Sequence, residues 1–225
     1  MGCHGIPFYL LLTAALLMIC QVVAANDDAE AWLEQDDDAR ALLVNEGSLD
    51  FPRDTQNHRV LQTQNWLTVS AESLQNGWVE LHQCQGNLDP VPAVEVVYRY
   101  HRLRNLRVIS TRGIARARVE QNTVQMEQVR EGGEICITAE VQVLKPEGES
   151  TYTLQSGPFH RRFLDGYYPV RLDYRIRWPA DRLQMESVHP AMQRGFSVRE
   201  QPGELTIDTL FEGRLTIKVR FNVQK

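Results

Sequence analysis

The sequence predicts a mainly β protein, an antiparallel β-sandwich built as two small Ig-like units in tandem. Three observations carry that expectation. Apolar and polar side chains alternate from Trp66 to the C-terminus. Short runs of this kind recur at roughly 8–15 residue spacing with Gly or Pro between them. Two cysteines, Cys84 and Cys136, remain after the first 25 residues. A signal helix and a short acidic helix are expected ahead of the strands.

Residues 1–25 read as a secretory signal peptide. Phe8 to Ala25 carries no charge, its centre Leu10–Ile19 is an apolar run, and Val23-Ala24-Ala25 is small enough for signal peptidase. The segment before it departs from the usual pattern, because Met1 to Pro7 contains no Lys or Arg. The competing reading is an uncleaved anchor, since about 18 apolar residues just span a bilayer. Lipid attachment does not fit: Ile19 is too large before Cys20, and Met1-Gly2-Cys3 is not followed by Ser or Thr at the sixth position. The expected location is periplasmic or secreted, with membrane contact only through this segment if it stays uncleaved.

Residues 26–64 read as an acidic helix and linker. Ten acidic residues between 26 and 58 face only Arg40 and Arg53, a balance of −8. The whole chain carries −5, so the remainder is +3. Trp32, Leu33, Leu42 and Leu43 can share one stripe with Asp36, Asp37 and Asp38 turned to water, and Gly47 is a plausible stop. The polar stretch from Gly47 to Gln64 reads as a linker or an extended arm.

Residues 65–145 form the first expected unit. Asn76-Gly77 lies between Leu67–Ala71 and Trp78–Leu81, the pattern of a type I′ hairpin. Val94, Val96, Tyr98 and Tyr100 alternate with Glu95, Arg99 and His101, as do Ala115, Ala117 and Val119 with Arg116, Arg118 and Glu120. Gly132-Gly133 is expected to turn Thr123–Arg130 back into Glu134–Leu144. Residues 150–225 form the second unit, with its clearest strands at Val170–Trp178 and Arg214–Val223, each with one wet face. Lys145–Ser150 is the expected break between units; the alternative is one continuous sandwich in which it is a hairpin loop.

An even pair of cysteines in an exported protein points to one disulfide, Cys84–Cys136. Cys136 shares parity with Thr138 and Glu140, and Cys84 with Glu80 and His82. Both thiols are therefore expected on the less apolar faces, as a staple between strands or at a sheet rim. A metal-binding or catalytic thiol is the alternative, but the chain contains no CxxC.

The candidate binding segment is Ser156–Pro169, in which Phe159, His160, Arg161, Arg162, Phe163, Asp165, Tyr167 and Tyr168 crowd between turn formers. Aromatics with arginines suit recognition, because they combine rigid contact area with forked donors for carboxylate or phosphate. The structural alternative is a long loop folded on itself, with Phe159, Phe163 and Tyr168 as a plug under the sheet. A second candidate is the stretch Arg99, Arg102, Arg104, Arg107, Arg112, Arg116 and Arg118. It could attract an anion, receive the acidic segment in cis, or simply be a charged outer sheet face that keeps an edge soluble.

Catalytic chemistry has little support. His58, His82, His101, His160 and His189 show no close metal-ligand spacing, and no nucleophile elbow, phosphate loop or dinucleotide fingerprint occurs. The expectation is a non-enzymatic binding module for a protein or envelope component, without cofactor or metal. Export and an acidic pI of about 5.7 argue against nucleic acid. A structural or assembly role on an open strand edge is the alternative, and a hydrolase with an unrecognised site a third.

Overall fold

Alternation in this sequence produces strands throughout. The computed structural model describes residues 45–53, 60–163 and 166–224. The expected signal segment, nearly all of the acidic helix and Asp165 lie outside the described residues. In chain order the strands are β1 (Leu61–Thr68), β2 (Trp78–Leu88), β3 (Val91–Val97), β4 (Leu103–Glu120), β5 (Thr123–Gln142), β6 (Leu144–Pro146) and β7 (Thr151–Phe159). There follow β8 (Arg161–Phe163), β9 (Gly166–Tyr168), β10 (Val170–Arg177), β11 (Leu183–His189), β12 (Phe196–Gln201), β13 (Glu204–Phe211) and β14 (Leu215–Val223). One helical turn, α1 (Ser73–Asn76), joins β1 to β2.

The larger sheet runs β12-β13-β10-β1-β2-β5-β3, with β4 along the other side of β5; the smaller runs β11-β14-β7-β6, and β8 and β9 form a hairpin of their own. All ladders of the large sheet are antiparallel except β1 against β10, which is parallel. The tandem Ig-like arrangement is not confirmed. β1 pairs with β2 on one side and with β10 on the other, so one sheet carries strands from both sides of residues 145–150. Those residues connect β6 to β7, which pair with each other.

Two expected turns are corrected. Gly77 is not in a two-residue hairpin turn: it caps α1 in the left-handed conformation, φ 75°, and its N–H bonds Ser73 O. Ser70 and Ser73 favour that helical turn by local bonding, since the Ser70 N–H donates to Ser73 Oγ at 2.9 Å. Gly132-Gly133 does not reverse the chain either. β5 continues through it as one strand of 20 residues. Its first half pairs with β3 and its second with β2, and against β4 the register slips here, with Arg112 opposite Glu134 and Ile114 opposite Val129. Gly132 at φ 72° supplies a left-handed residue in this bulge, where Val129–Glu134 of β5 faces only Arg112–Ile114 of β4 and the strand continues without reversing. The true reversal between β4 and β5 is at Gln121-Asn122, with Glu120 opposite Thr123.

The core lies between the sheets, where Leu67, Leu81, Ile137, Leu172, Tyr174 and Ile176 of the large sheet meet Leu154, Ile217, Val219 and Phe221 of the small one. Tyr174 reaches across to donate to Ser156 Oγ at 2.7 Å, and Trp178 meets Phe221 edge to face at 5.1 Å. The inward positions expected for Val170–Trp178 are all buried, as are those expected for Arg214–Val223 except Val223, which is partly buried. Residues 45–52 run as an arm over this body. Asp50 and Glu212 exchange backbone bonds, and Phe51 packs on Phe196 with ring centroids 5.5 Å apart.

Candidate functional site

The aromatic and basic segment after β7 folds back as the hairpin β8–β9, pairing Arg161 with Tyr168 and Arg162 with Tyr167. Its entry is tight. Gly157 has φ 98°, and a Cβ there would sit 2.6 Å from Leu215 O.

Pairing sorts the side chains onto two faces. Arg161 lies over the rings of Phe163 and Tyr168, at 5.2 and 5.7 Å, and those rings meet edge to face at 5.4 Å. Arg162 lies over Tyr167 at 5.6 Å, and Tyr167 meets His160 at 5.8 Å. Arg161 is also ion-paired to Asp89 in the turn between β2 and β3, with its own side chain only 14% exposed. That pair ties the hairpin to the large sheet. Arg162 and Phe163 remain exposed.

Beneath the hairpin is a cavity of about 520 Å³. Its apolar wall includes Leu61, Val94, Met126, Phe159, Val170 and Leu172, and the phenols of Tyr98 and Tyr100 open onto it. Burial pushes the ionisation of both phenols well above the ordinary range, so they stay neutral. Arg99, Arg162 and Arg214 stand around the rim with His160. Burial, followed by the fields of Arg99, Arg214 and Arg162, lowers the His160 pKa. The Pro158 carbonyl can only accept, so Nδ1 of His160 donates to it at 3.2 Å and Nε2 is left as the acceptor.

The structure therefore brings Phe159, His160, Arg161, Arg162, Phe163, Tyr167 and Tyr168 to one place. It adds groups that the sequence did not point to. Arg214 arrives from the start of β14, and Thr63 and Gln83 line the cavity from inward positions on β1 and β2. Gln83 donates to Asn65 Oδ1 at 2.8 Å inside the large sheet. The available signal was parity: Thr63 and Asn65 share the face of Leu67, which marks them as polar groups in an apolar row.

The basic stretch of β4 takes the plain reading. Arg104 pairs with Glu140, Arg112 with Glu134, Arg116 with Glu127, and Arg118 with Glu120 and Glu127. Apart from Arg118–Glu120, which lies within β4, these are exposed pairs across the β4–β5 ladder; they offset the charge of four of the seven arginines and add little stability. Cys84 and Cys136, directly opposite each other on β2 and β5, are joined as a disulfide with Cα atoms 4.1 Å apart. The staple lies between neighbouring strands, as parity predicted.

A second hollow, about 640 Å³, lies on the outer face of the large sheet. There Trp66 and His82 stack at 4.7 Å with their planes 6° apart. Trp66 Nε1, His82 Nδ1 and Arg175 Nε are buried without a hydrogen-bond partner among the described residues. Its charges are mixed, with Arg107, Arg175 and Arg177 against Glu80 and Glu140. Among the described residues no group of three or more His, Cys, Asp or Glu is placed to hold a metal ion.

No protein-family model matches the chain, and no curated protein does. Among solved structures it resembles the M1 zinc metallopeptidase of Deinococcus radiodurans, with a TM-score of 0.39 and 14% identity over 80% of this chain and 43% of that one. It is similarly related to a mutant of that peptidase bound to a Tyr-Ser-Ala substrate, at a TM-score of 0.39 and 13% identity over 80% and 43% of the two chains. The chain thus spans less than half the length of these structures, and a likeness this distant assigns it no activity.

Proposed function

We propose that this protein is an exported, non-enzymatic interaction module that engages a protein or envelope component through the β8–β9 hairpin and its surroundings. The observation that carries the reading is the contrast between Arg161 and its neighbours. Arg161 is consumed in anchoring the hairpin to Asp89, while Arg162 and Phe163 are held on that anchored frame and face solvent. A rigid aromatic and guanidinium pair of this kind loses little entropy on binding. The Cys84–Cys136 disulfide fits an oxidising compartment and so supports export.

The test is affinity capture from an envelope extract, comparing the native protein with an Arg162→Glu/Phe163→Ser variant. The reading expects the variant to stay folded, with its melting temperature lowered only by the lost Phe163 ring contacts, and to lose the captured component. Unchanged capture by the variant would overturn it. The intact mass of protein recovered from the exported fraction tests the first 25 residues: a chain beginning at Asn26 is expected.

One observation favours the assembly reading. β4 is an 18-residue strand at the sheet edge, with Ile109 and Val119 among its exposed apolar side chains. Such an edge can accept another strand. Its arginines, held in cross-strand pairs, are also the kind of charge that keeps an edge unpaired, so this reading stands second.

A further inference from the structure

We propose that the cavity beneath the β8–β9 hairpin is a ligand site for a single-chain amphipathic anion, with an acyl-like body against the apolar wall and an acid head at Arg99, Arg162 and Arg214. The inference deepens the proposed function, since it rests on the same hairpin and names the class of envelope component.

Three observations point there. The first is size and lining: about 520 Å³ bounded by Leu61, Met126, Phe159 and Leu172, within the range of small-molecule sites. The second is charge. Arg99, Arg161, Arg162 and Arg214 line the cavity together with Asp89 and Glu95, four cations against two anions, a surplus of +2. Asp89 is committed to Arg161, and Glu95 accepts from Gln125 at 2.6 Å. Among the described residues Arg99, Arg162 and Arg214 have no carboxylate partner, whereas Arg104, Arg112, Arg116 and Arg118 on β4 each have at least one. The third is the lip. Val97 and Phe163, 40% and 42% exposed, both line this cavity. Solvent-facing apolar groups beside guanidinium groups that have no carboxylate partner among the described residues match a molecule that is greasy at one end and anionic at the other. A small hydrophilic anion would leave the apolar wall unused, and a neutral lipid would leave the arginines unused.

The probe is dansyl-aminoundecanoic acid, with its methyl ester as the uncharged control, titrated into the full chain by fluorescence. Saturable binding of the acid is expected, at least about tenfold tighter than the ester, because the ester forfeits a charge-assisted contact. Arg99→Gln/Arg162→Gln/Arg214→Gln should reduce the acid to the affinity of the ester, with the melting temperature retained because all three side chains are exposed. Val94→Trp, which fills the cavity, should abolish both. The arginine variant alone decides the matter if the tryptophan variant does not fold. The proposal is overturned if the acid fails to saturate, if acid and ester bind equally, or if the arginine variant binds the acid as tightly as the native chain. Failure here with capture still dependent on Arg162 and Phe163 would reject the ligand and keep the interaction module. Acid binding without any captured component would keep the ligand and reject the wider reading.

Discussion

Arg161 and Arg162 are adjacent and chemically identical, yet their replacement by alanine should have different consequences. Arg161 is 14% exposed, pairs with an Asp89 side chain that is 35% exposed, and lies over two aromatic rings. Removing it leaves a half-buried carboxylate without its partner. A hydrogen bond to a charged group is worth about 1.5–3 kcal/mol, and each exposed cation–π contact about 0.5–1 kcal/mol. Non-additivity within one cluster brings the expected loss for Arg161→Ala to about 2–3 kcal/mol. Arg162 is exposed and makes one ring contact, at 5.6 Å. Arg162→Ala should cost no more than about 0.5 kcal/mol. At about 2–4 °C per kcal/mol for a domain of this size, the first variant should melt roughly 4–12 °C below native and the second within about 2 °C. Urea unfolding supplies the free energies, and Asp89→Ala with the double variant completes a cycle whose coupling should be about 1–2 kcal/mol. Equal losses for the two arginines, or a coupling near zero, would refute the view that Asp89 anchors the hairpin.

Three further outcomes are expected. Replacing Cys84 and Cys136 together by Ser releases a loop with a sequence separation of 52, which the chain-entropy model puts at about 4 kcal/mol; urea midpoints of the oxidised native and double variant proteins check it, and a loss under about 1 kcal/mol would contradict it. Burial and the neighbouring arginines lower the His160 pKa in the folded state, so below about pH 6.5 the unfolded chain binds more protons there than the folded one. Protons then favour the unfolded state, so this contribution to stability is present above that pH and lost progressively as pH falls toward the lowered folded pKa; the slope should disappear in His160→Gln. Gly132→Val forces a β-branched residue to φ 72°, at a cost of about 1–2 kcal/mol, and a melting temperature equal to native would show that the bulge does not need glycine.

Alternation alone made the strands at Val170–Trp178 and Leu215–Val223 legible, because a strand with one wet face writes its burial directly into the sequence. Parity did the same for the disulfide, placing both cysteines on the wetter face before any partner strand was known. Glycine was read less well. Asn76-Gly77 and Gly132-Gly133 both supply a left-handed residue, but that conformation serves a helix cap or a bulge as readily as a turn. Whether β5 continues or reverses is decided by β2 and β3, which take successive halves of it as partners.

Local pattern therefore determined the class of fold, the inward-facing rows of the long strands and the position of the covalent staple, since each depends on neighbours one or two residues away. Tertiary structure alone decided that strands from both halves share one sheet, through the parallel ladder of β1 and β10. It also decided that Arg161 anchors while Arg162 faces solvent, and that Arg99 and Arg214 stand beside His160. Strand order and the convergence of distant side chains are set by which surfaces bury each other, and that information belongs to no single stretch of chain.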